Sequence, residues 1–261
     1  MLKEERQQAI MEWLRLEGKV VVTDLISHFN VSEDTIRRDL NDLAELGMLQ
    51  RVHGGALPRS PSPPYEQRVQ EASTTRRALA EAAARFIHDG QVILMDSGSS
   101  VLAVATSLPT SLRATIVTNS VPVAAALIHH PEIEVLVLGG RLKKEAQAMV
   151  GIPVVEALRQ FRADVCVLGV CSLHPDMGIS MLDMEEAYVK RAMIEQAAEV
   201  VAVADVAKLG TAAPFVIGPL SALTYLVTDS LIEPDVLTPY QERGITVIRA
   251  EPSRPDSSHI L

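Results

Sequence analysis

Apolar residues recur at helical spacing in a segment near the beginning of the chain. The stripe consists of Ile36, Leu40, Leu43 and Leu46, which fall at positions i, i+4, i+7 and i+10. This spacing predicts an amphipathic helix, and Ser32 stands where its N-cap belongs. The opposite face is polar and consists of Asp34, Thr35, Arg37, Arg38, Asn41 and Asp42. Guanidinium, amide and hydroxyl groups on such a face can reach the base edges and phosphates of DNA.

Patterns on either side predict the elements that would support this helix. Residues 4–16 carry apolar side chains at helical spacing, and residues 23–29 form a shorter helical pattern. The shorter pattern ends at Asn30, which tolerates the left-handed conformation of a tight turn. Gly47 would end the reading helix before a strand pair that turns at two adjacent glycines. The order of these elements predicts a winged helix-turn-helix.

The charge balance of this region restricts how it could bind nucleic acid. Residues 1–57 contain more acidic than basic side chains, and a helix with two arginines could instead be an ordinary solvated face. The cap, the turn, the stripe and the arginine pair together favour DNA binding with weak, salt-sensitive non-specific affinity. The local positive footprint would come from Arg37, Arg38 and Arg51, with Lys3, Arg6 and Lys19 as further contributors. The candidate DNA contacts are Ser32, Thr35, Arg37, Arg38, Asn41, Arg51, His53 and Gly54.

A proline-rich segment divides the chain of 261 residues into two parts. Four of the residues between positions 58 and 64 are prolines, which cannot continue a helix or a sheet and predict an extended, semi-stiff connector. We therefore expect a DNA-binding domain over residues 1–57 and a linker over residues 58–73. A second domain would follow over residues 74–251, with a disordered tail over residues 252–261.

Beyond the linker, β-branched apolar runs alternate with helical patterns. The strand candidates are residues 92–95, 114–117, 135–138, 165–169, 200–204, 223–227 and 245–248. The helix candidates are residues 74–87, 121–129, 154–161 and 184–198. This alternation predicts an α/β fold with a mostly parallel sheet that is covered on both faces. Since only 3% of the residues are aromatic, the core must be built from aliphatic side chains.

Small polar residues and glycines follow the strand candidates, where an open α/β sheet binds ligands. The first candidate is followed by a small-residue turn that could hold a phosphate at a helix N-terminus. The candidate ligand-binding residues are Asp96, Ser97, Gly98, Ser99, Ser100, Thr118, Asn119, Ser120, Gly139, Gly140, Glu186, Lys190, Asp205 and Lys208. Each feature alone has a structural explanation as a capped turn or a surface ion pair, but their recurrence favours a site for a small anion.

Two motifs resemble the DeoR family of bacterial transcription regulators. They are Arg37-Arg38-Asp39-Leu40 followed by Asp42-Leu43, and Arg51-x-His53-Gly54-Gly55-Ala56. The resemblance extends through most of the chain. It implies a repressor of carbohydrate metabolism genes that binds double-stranded operator DNA and is controlled by a phosphorylated sugar. Since operators of this kind are two-fold, we expect a homo-oligomer that is at least a dimer.

The resemblance also implies the fold and the ligand contacts of the second domain. Its fold would be similar to ribose 5-phosphate isomerase. The sugar phosphate would be surrounded by residues 96–100, residues 118–120, and Asp205 with Lys208, and Glu186 and Lys190 would supply further lining. The family commonly carries a hydroxyl residue immediately before the lysine, where this chain has Ala207.

The competing class is a sugar-phosphate isomerase-like enzyme. Glu186, Asp176 or Asp96 could serve as its carboxylate base. However, the glycine-rich, lysine-containing loop and the paired aspartates of the isomerases have no counterpart after residues 165–169. We therefore expect no catalytic activity and no cofactor.

Metal and membrane functions are not indicated by the sequence. The seven histidines are scattered, and Cys166 and Cys171 lack partners at metal-ligand spacing, so we expect reduced thiols and no metal. No uninterrupted apolar stretch is long enough to span a bilayer, and the N-terminus lacks a signal-peptide pattern. We therefore expect a cytoplasmic protein without a membrane partner.

Overall fold

The computed structural model describes residues 1–71 and 74–251. The N-terminal part contains three helices and three short strands in a small antiparallel sheet of order β1-β3-β2. In chain order these elements are α1 (Lys3–Glu17), β1 (Val20–Val21), α2 (Val22–Phe29), α3 (Glu33–Glu45), β2 (Leu49–Val52) and β3 (Gly55–Pro58). This order of helices followed by a hairpin confirms the predicted winged helix-turn-helix.

Local chemistry explains where these elements begin and end. The Ser32 hydroxyl accepts a hydrogen bond from the Thr35 amide at 3.3 Å and caps α3. Asn30 ends α2 in the left-handed conformation, with φ of 49°. In the hairpin, a side chain at Gly55 would meet the Val20 carbonyl oxygen at 2.0 Å, so only glycine allows β1 and β3 to approach this closely.

The predicted apolar stripe is one residue too long. Ile36, Leu40 and Leu43 are buried in the core of this domain, but Leu46 is 72% exposed because α3 ends at Glu45. Leu16 near the end of α1 is likewise exposed. A stripe read from spacing alone extends past the last helical turn, where the side chain no longer faces the core.

Arg6 does not contribute to a positive surface, contrary to our expectation. It is buried, and its guanidinium binds the Asp39 carboxylate through two hydrogen bonds, Nε to Oδ2 at 2.5 Å and Nη2 to Oδ1 at 3.2 Å. The pair ties α1 to the inner side of α3. Its charge is therefore neutralised inside the domain.

The predicted linker contains a helix. β3 extends through Pro58, and the proline-rich stretch leads into α4 (Tyr65–Gln70), which begins immediately after Pro64. Proline is tolerated at the start of a helix because an amide at this position would have no partner within the helix. The connector is thus extended only over residues 59–64.

The C-terminal part is built on a seven-stranded parallel sheet of order β15-β14-β12-β9-β4-β5-β6. All seven predicted strands contribute to it, which confirms the α/β fold class. Its helices and strands are α5 (Thr74–Ala84), β4 (Val92–Met95), α6 (Ser99–Thr106), β5 (Ala114–Thr118), α7 (Val121–Leu127), β6 (Ile133–Val137), β7 (Arg141–Lys143), β8 (Ala148–Val150), α8 (Ile152–Leu158), β9 (Ala163–Gly169), β10 (Ser172–His174), β11 (Gly178–Met181), α9 (Met184–Gln196), β12 (Ala197–Val203), β13 (Phe215–Gly218), β14 (Tyr225–Asp229), α10 (Pro234–Gln241) and β15 (Thr246–Ala250).

Both faces of the central strands of this sheet are buried, which explains their apolar runs. Ile93 and Met95 pack with α5, α6 and α7 on one face, while Leu94 packs with α8, α9 and α10 on the other. Successive side chains of a strand point to opposite faces, so every position must be apolar when both faces are covered.

Two small antiparallel sheets, not predicted from the sequence, accompany the main sheet. They are the β7-β8 hairpin and a sheet of order β10-β11-β13. The predicted tail at residues 252–261 lies outside the described residues. Within residues 1–71 and 74–251, none of the helices has the length and apolar character needed to cross a membrane.

The buried Arg6–Asp39 pair gives a first prediction. Asp39→Ala should destabilise the N-terminal domain by about 3 kcal/mol, because it leaves the buried guanidinium without its carboxylate. Trp13 is the single tryptophan and lies in α1, so its fluorescence during urea unfolding reports on this domain alone. The matched control is Lys3→Ala, which breaks the exposed ion pair with Asp42 and should change the unfolding midpoint little. Equal midpoints for Asp39→Ala and Lys3→Ala would contradict a stabilising role for the buried pair.

Candidate functional site

The polar face of α3 is exposed, as a DNA-reading helix requires. Arg37 forms an i, i+4 ion pair with Glu33, with Nη2 and Oε1 2.6 Å apart. Arg38 is also exposed, and no ion pair involving it occurs in the described part of the chain. Thr35 lies beside Ser32, with their hydroxyl oxygens 2.9 Å apart. Of these side chains, Arg38 is the cation most available to a phosphate or a base edge.

The β2-β3 hairpin is the wing, and Arg51 holds it against α3, the reading helix. Its Nη1 atom donates to the Asn41 Oδ1 atom at 2.6 Å and to the Arg37 carbonyl at 3.3 Å. Burial and the nearby charge of Arg37 both lower the pKa of Arg51. Arg51 and Asn41 therefore bind each other in the free protein, while His53 and Gly54 are exposed at the tip of the hairpin.

A cavity of about 320 Å³ opens at the carboxyl ends of the central strands of the large sheet. Its wall is formed by the turn after β4, the end of β9, the start of α9, the β7-β8 hairpin and the connector. The predicted ligand-binding residues that line it are Ser97, Gly98, Ser99, Ser100, Glu186, Lys190 and Lys208. The structure thus brings together residues that are far apart in the sequence.

A buried ion pair forms the floor of this cavity. Lys190, from α9, donates through Nζ to the Asp96 Oδ2 atom and to the Gly169 carbonyl, the latter at 2.8 Å. The same Asp96 oxygen accepts the Gly169 amide at 2.9 Å. A side chain at Gly169 would meet the Ser97 carbonyl oxygen at 2.4 Å, so glycine is needed for the strands to come this close. Asp96 lies beneath the cavity wall and acts by holding Lys190.

The turn after β4 presents donors to the cavity. Gly98 has φ of 120°, a conformation that side chains rarely allow, and it directs the chain into α6. Ser99 and Ser100 occupy the first turn of α6, where the backbone amides have no partner within the helix. Amides and hydroxyls at a helix N-terminus form a suitable cradle for a phosphate.

Lys143 belongs to the cavity wall although the sequence did not indicate it. It pairs with Asp183 and with Glu186, whose Oε1 atom lies 3.0 Å from Nζ. Burial would lower the pKa of Lys143, but the hydrogen bonds to these two carboxylates raise it overall. Asp183 also caps α9 by accepting the Glu186 amide. The sequence marked the nearby Gly139 and Gly140, but recognition of the β7-β8 hairpin would have been needed to extend the site to Lys143.

Lys208 closes another side of the cavity from a short 3-10 turn (Val206–Lys208). Its side chain is only 18% exposed, and Asp205 lies 3.7 Å away. Burial lowers the pKa of Lys208; Asp205 opposes this shift, and the positive charge of Arg68 adds to it. The Asp205 carboxylate instead caps the turn by accepting the Ala207 amide at 3.1 Å.

Several predicted ligand-binding residues lie outside the cavity wall, where they brace the β7-β8 hairpin and α7. The Thr118 hydroxyl accepts the Ser120 amide, and the Ser120 hydroxyl caps α7. Asn119 donates to the Met149 carbonyl at 2.9 Å. Gly139 is exposed, and a side chain at Gly140 would clash with Val154 and the Val150 carbonyl. Since β7 carries Lys143, this bracing acts on the cavity indirectly.

Metal-binding groups are not assembled near this site. Across residues 1–71 and 74–251, no cluster of three or more His, Cys, Asp or Glu side chains is arranged to hold a metal ion. Cys166 is buried and Cys171 lies at the cavity wall, both as free thiols. Burial raises the pKa of both thiols, which keeps them protonated at neutral pH.

Comparison with known families matches both parts of the chain. Residues 6–61 match the DeoR-like helix-turn-helix domain, and residues 71–230 match the DeoR C terminal sensor domain. The chain is 34% identical over 234 residues to the HTH-type transcriptional repressor GlcR of Bacillus subtilis, covering 88% of this chain and 90% of the relative. It is 33% identical over 232 residues to the glycerol-3-phosphate regulon repressor of Escherichia coli, covering 88% of this chain and 92% of that relative.

A solved structure of ribose 5-phosphate isomerase A from Methanocaldococcus jannaschii is also similar. It matches with a TM-score of 0.37 and 15% sequence identity, covering 51% of this chain and 52% of the isomerase.

Proposed function

Because this chain belongs to the DeoR family of transcription regulators, we propose that it is a repressor whose operator binding is controlled by a phosphorylated sugar in the C-terminal cavity. The observation that carries the effector proposal is the composition of the cavity wall. It combines the first turn of α6, two serine hydroxyls and Lys208. These groups are hydrogen-bond donors, and the Asp205 carboxylate that lies 3.7 Å from Lys208 does not itself line the cavity, so together the donors suit a phosphate monoester.

The remaining wall suits the sugar end of such a ligand. Glu186, Asp183 and Glu145 line the same cavity and supply acceptors for hydroxyl groups. Lys143 pairs with Asp183 and Glu186 and so orients both carboxylates. A cavity of about 320 Å³ matches the lower range of small-molecule sites and suits a ligand of the size of a phosphorylated monosaccharide.

Release of DNA would follow from unequal binding to two conformations. A ligand shifts a conformational equilibrium only by the difference between its affinities for the two states, typically about 1–3 kcal/mol in allosteric proteins. We propose a homo-oligomer, at least a dimer, whose two heads bind the halves of a two-fold operator.

An isomerase-like activity is not favoured by the contacts of the candidate bases. Asp96 is bound to Lys190, Glu186 to Lys143 and Asp176 to Arg243. A general base must lie within hydrogen-bond reach of the substrate proton, and of these three residues only Glu186 lines the cavity. Each of these carboxylates is already occupied by a cation, and the curated relatives are named as regulators.

The decisive experiment is a fluorescence anisotropy titration of the protein on its own upstream intergenic DNA. It is repeated with a panel of sugar phosphates and the matching free sugars. The proposal predicts specific binding that is relieved by a phosphorylated sugar and not by the free sugar. Specific binding without any ligand effect would refute the effector site, and absence of specific binding would refute the repressor.

Arg38→Ala should weaken operator binding about tenfold or more. An exposed arginine on the reading helix contributes about 1–3 kcal/mol when it contacts a base. The same anisotropy titration at physiological salt measures the loss. Arg15→Ala, which removes an exposed arginine of α1, is the matched control and should bind normally. Unchanged affinity of the Arg38 variant would remove this residue from the interface.

Lys208→Met should stay on the operator at sugar-phosphate concentrations that release the wild type. The substitution keeps most of the length of the unbranched side chain but removes the charge that would bind the phosphate. Anisotropy of the preformed protein–DNA complex during ligand addition provides the measurement. Lys144→Met is the control, because Lys144 is exposed and does not line the cavity. Release of the Lys208 variant at the wild-type ligand concentration would contradict this role.

The affinity for the phosphorylated ligand should fall both at acidic and at alkaline pH. A phosphate monoester loses its second negative charge below its second pKa of about 6, so affinity should fall in acid. Burial lowers the pKa of Lys208 below its ordinary value of 10.5, so the free protein loses this charge, and affinity falls, as pH rises through the lowered pKa. Calorimetric titrations across this range test the profile. In Lys208→Met the alkaline loss should disappear; its persistence at the same pH would assign it to another group.

A further inference from the structure

The connector between the two domains forms part of the cavity wall. Ser62, Pro63 and Pro64 from the extended stretch and Tyr65 and Arg68 from α4 all line it. These residues precede the sensor domain in the chain and lead directly from the wing of the DNA-binding domain. A molecule in the cavity would therefore contact the segment that joins the two domains.

Two buried polar atoms of this segment are left without hydrogen bonds. Tyr65 is 4% exposed, and neither its hydroxyl nor the Arg68 Nε atom has a partner among residues 1–71 and 74–251. Burial raises the pKa of Tyr65, so its hydroxyl remains a donor at neutral pH. Buried polar atoms are nearly always satisfied, since an unmade hydrogen bond costs about 1–3 kcal/mol. Two such donors at one cavity wall point to an acceptor that comes from a ligand.

The cations around the cavity differ in how well their charges are balanced. Lys190 is neutralised by Asp96, and Lys143 is neutralised by Asp183 and Glu186. Lys208 has only the more distant Asp205. Arg68 forms no ion pair with a carboxylate in the part of the chain that the structure describes, and its positive charge acts on Lys208. The positive charges of Arg68 and Lys208 thus repel each other in the free protein, and an anion bound between them would replace this repulsion by attraction to both.

We propose that Arg68 and Tyr65 of the connector helix α4 bind the anionic group of the effector together with Lys208. The inference rests on the proposed function and names a contact that the sequence motifs did not include. Arg68 supplies guanidinium donors, which suit two oxygens of one phosphate, and the Tyr65 hydroxyl supplies a third donor. The effector then links the sensor domain to the connector.

The contacts of α4 explain how such a link would reach the DNA-binding domain. Arg76 of α5 donates to the Arg68 carbonyl and to the Glu71 carbonyl, and Gln147 of the β7-β8 loop donates to Glu66 at 3.1 Å. Further along, the Ala212 amide donates to the carbonyl of Pro58, the last residue of the wing, at 3.1 Å. Between these anchors lies a short proline-rich stretch, which transmits displacement better than a flexible chain.

The test compares inorganic phosphate binding by the full chain and three Arg68 and Tyr65 variants. The dissociation constant is obtained from the rise of the thermal unfolding midpoint with phosphate concentration. Arg68→Gln should weaken phosphate binding about tenfold or more, and Tyr65→Phe, which removes only the hydroxyl, should weaken it severalfold. Arg68→Lys should recover part of the loss because it restores the charge but not the fork of donors. Arg77→Gln is the matched control on the exposed face of α5 and should bind like the wild type.

A second measurement follows hydrogen exchange of the peptide that covers residues 59–71, with and without phosphate. Phosphate should slow exchange in the wild type and have a smaller effect in Arg68→Gln. Wild-type phosphate affinity in both Arg68→Gln and Tyr65→Phe, or exchange in residues 59–71 that phosphate does not change, would overturn this inference and leave the proposed effector site standing. Failure of the wild type to bind phosphate at all would overturn both.

Discussion

The buried ion pair between Asp96 and Lys190 is the interaction on which the arrangement of the proposed effector cavity depends. Charges without water must be paired and hydrogen-bonded, and here the pairing joins the end of β4, the end of β9 and the middle of α9 at one point. Because Asp96 is held below the wall, the turn that follows it is directed into α6 with its serines facing the cavity. The close approach at Gly169 completes this packing, so the geometry of the donors is fixed by a contact that the ligand itself need not touch.

Much of the fold could be predicted from the sequence because strands buried on both faces must be apolar at every position. The apolar runs predicted all seven strands of the large sheet. The apolar stripe that begins at Ile36, together with its N-cap, predicted the reading helix α3. The shorter antiparallel strands were missed because three or four residues are too few to establish a period. Helix α4 was missed because the prolines before it predict an extended chain, although proline is also favourable just ahead of a first helical turn.

Half of the predicted ligand-binding residues line the cavity of the candidate site, and the positions of the others have a common physical explanation. Polar residues at strand ends are needed both to bind ligands and to fasten neighbouring loops, and sequence alone does not separate these roles. Ser97 to Ser100 reached the cavity, whereas Asn119 holds the backbone of β8. Likewise Arg6 belongs to the interior, since the spacing of charges does not reveal a partner thirty-three positions away. Lys143 and Arg68 were not predicted because they reach the cavity wall from the β7-β8 hairpin and from the connector, and the positions of both segments depend on tertiary packing.

The order of the strands also has a consequence for the synthesis of the chain. The hairpin and helices of residues 1–58 pack mainly against one another, within a short stretch of the chain. In contrast, β4 lies between β5 and β9 in the sheet, and Asp96 pairs with Lys190, which is 94 positions later in the chain. Contacts of low sequence separation form sooner, and domains fold as units as they leave the ribosome. Residues 1–58 can therefore complete their fold before Lys190, which forms the floor of the cavity, has been synthesised. A chain that ends before α9 would therefore have a folded DNA-binding domain but would lack the cavity through which a ligand could release it from DNA.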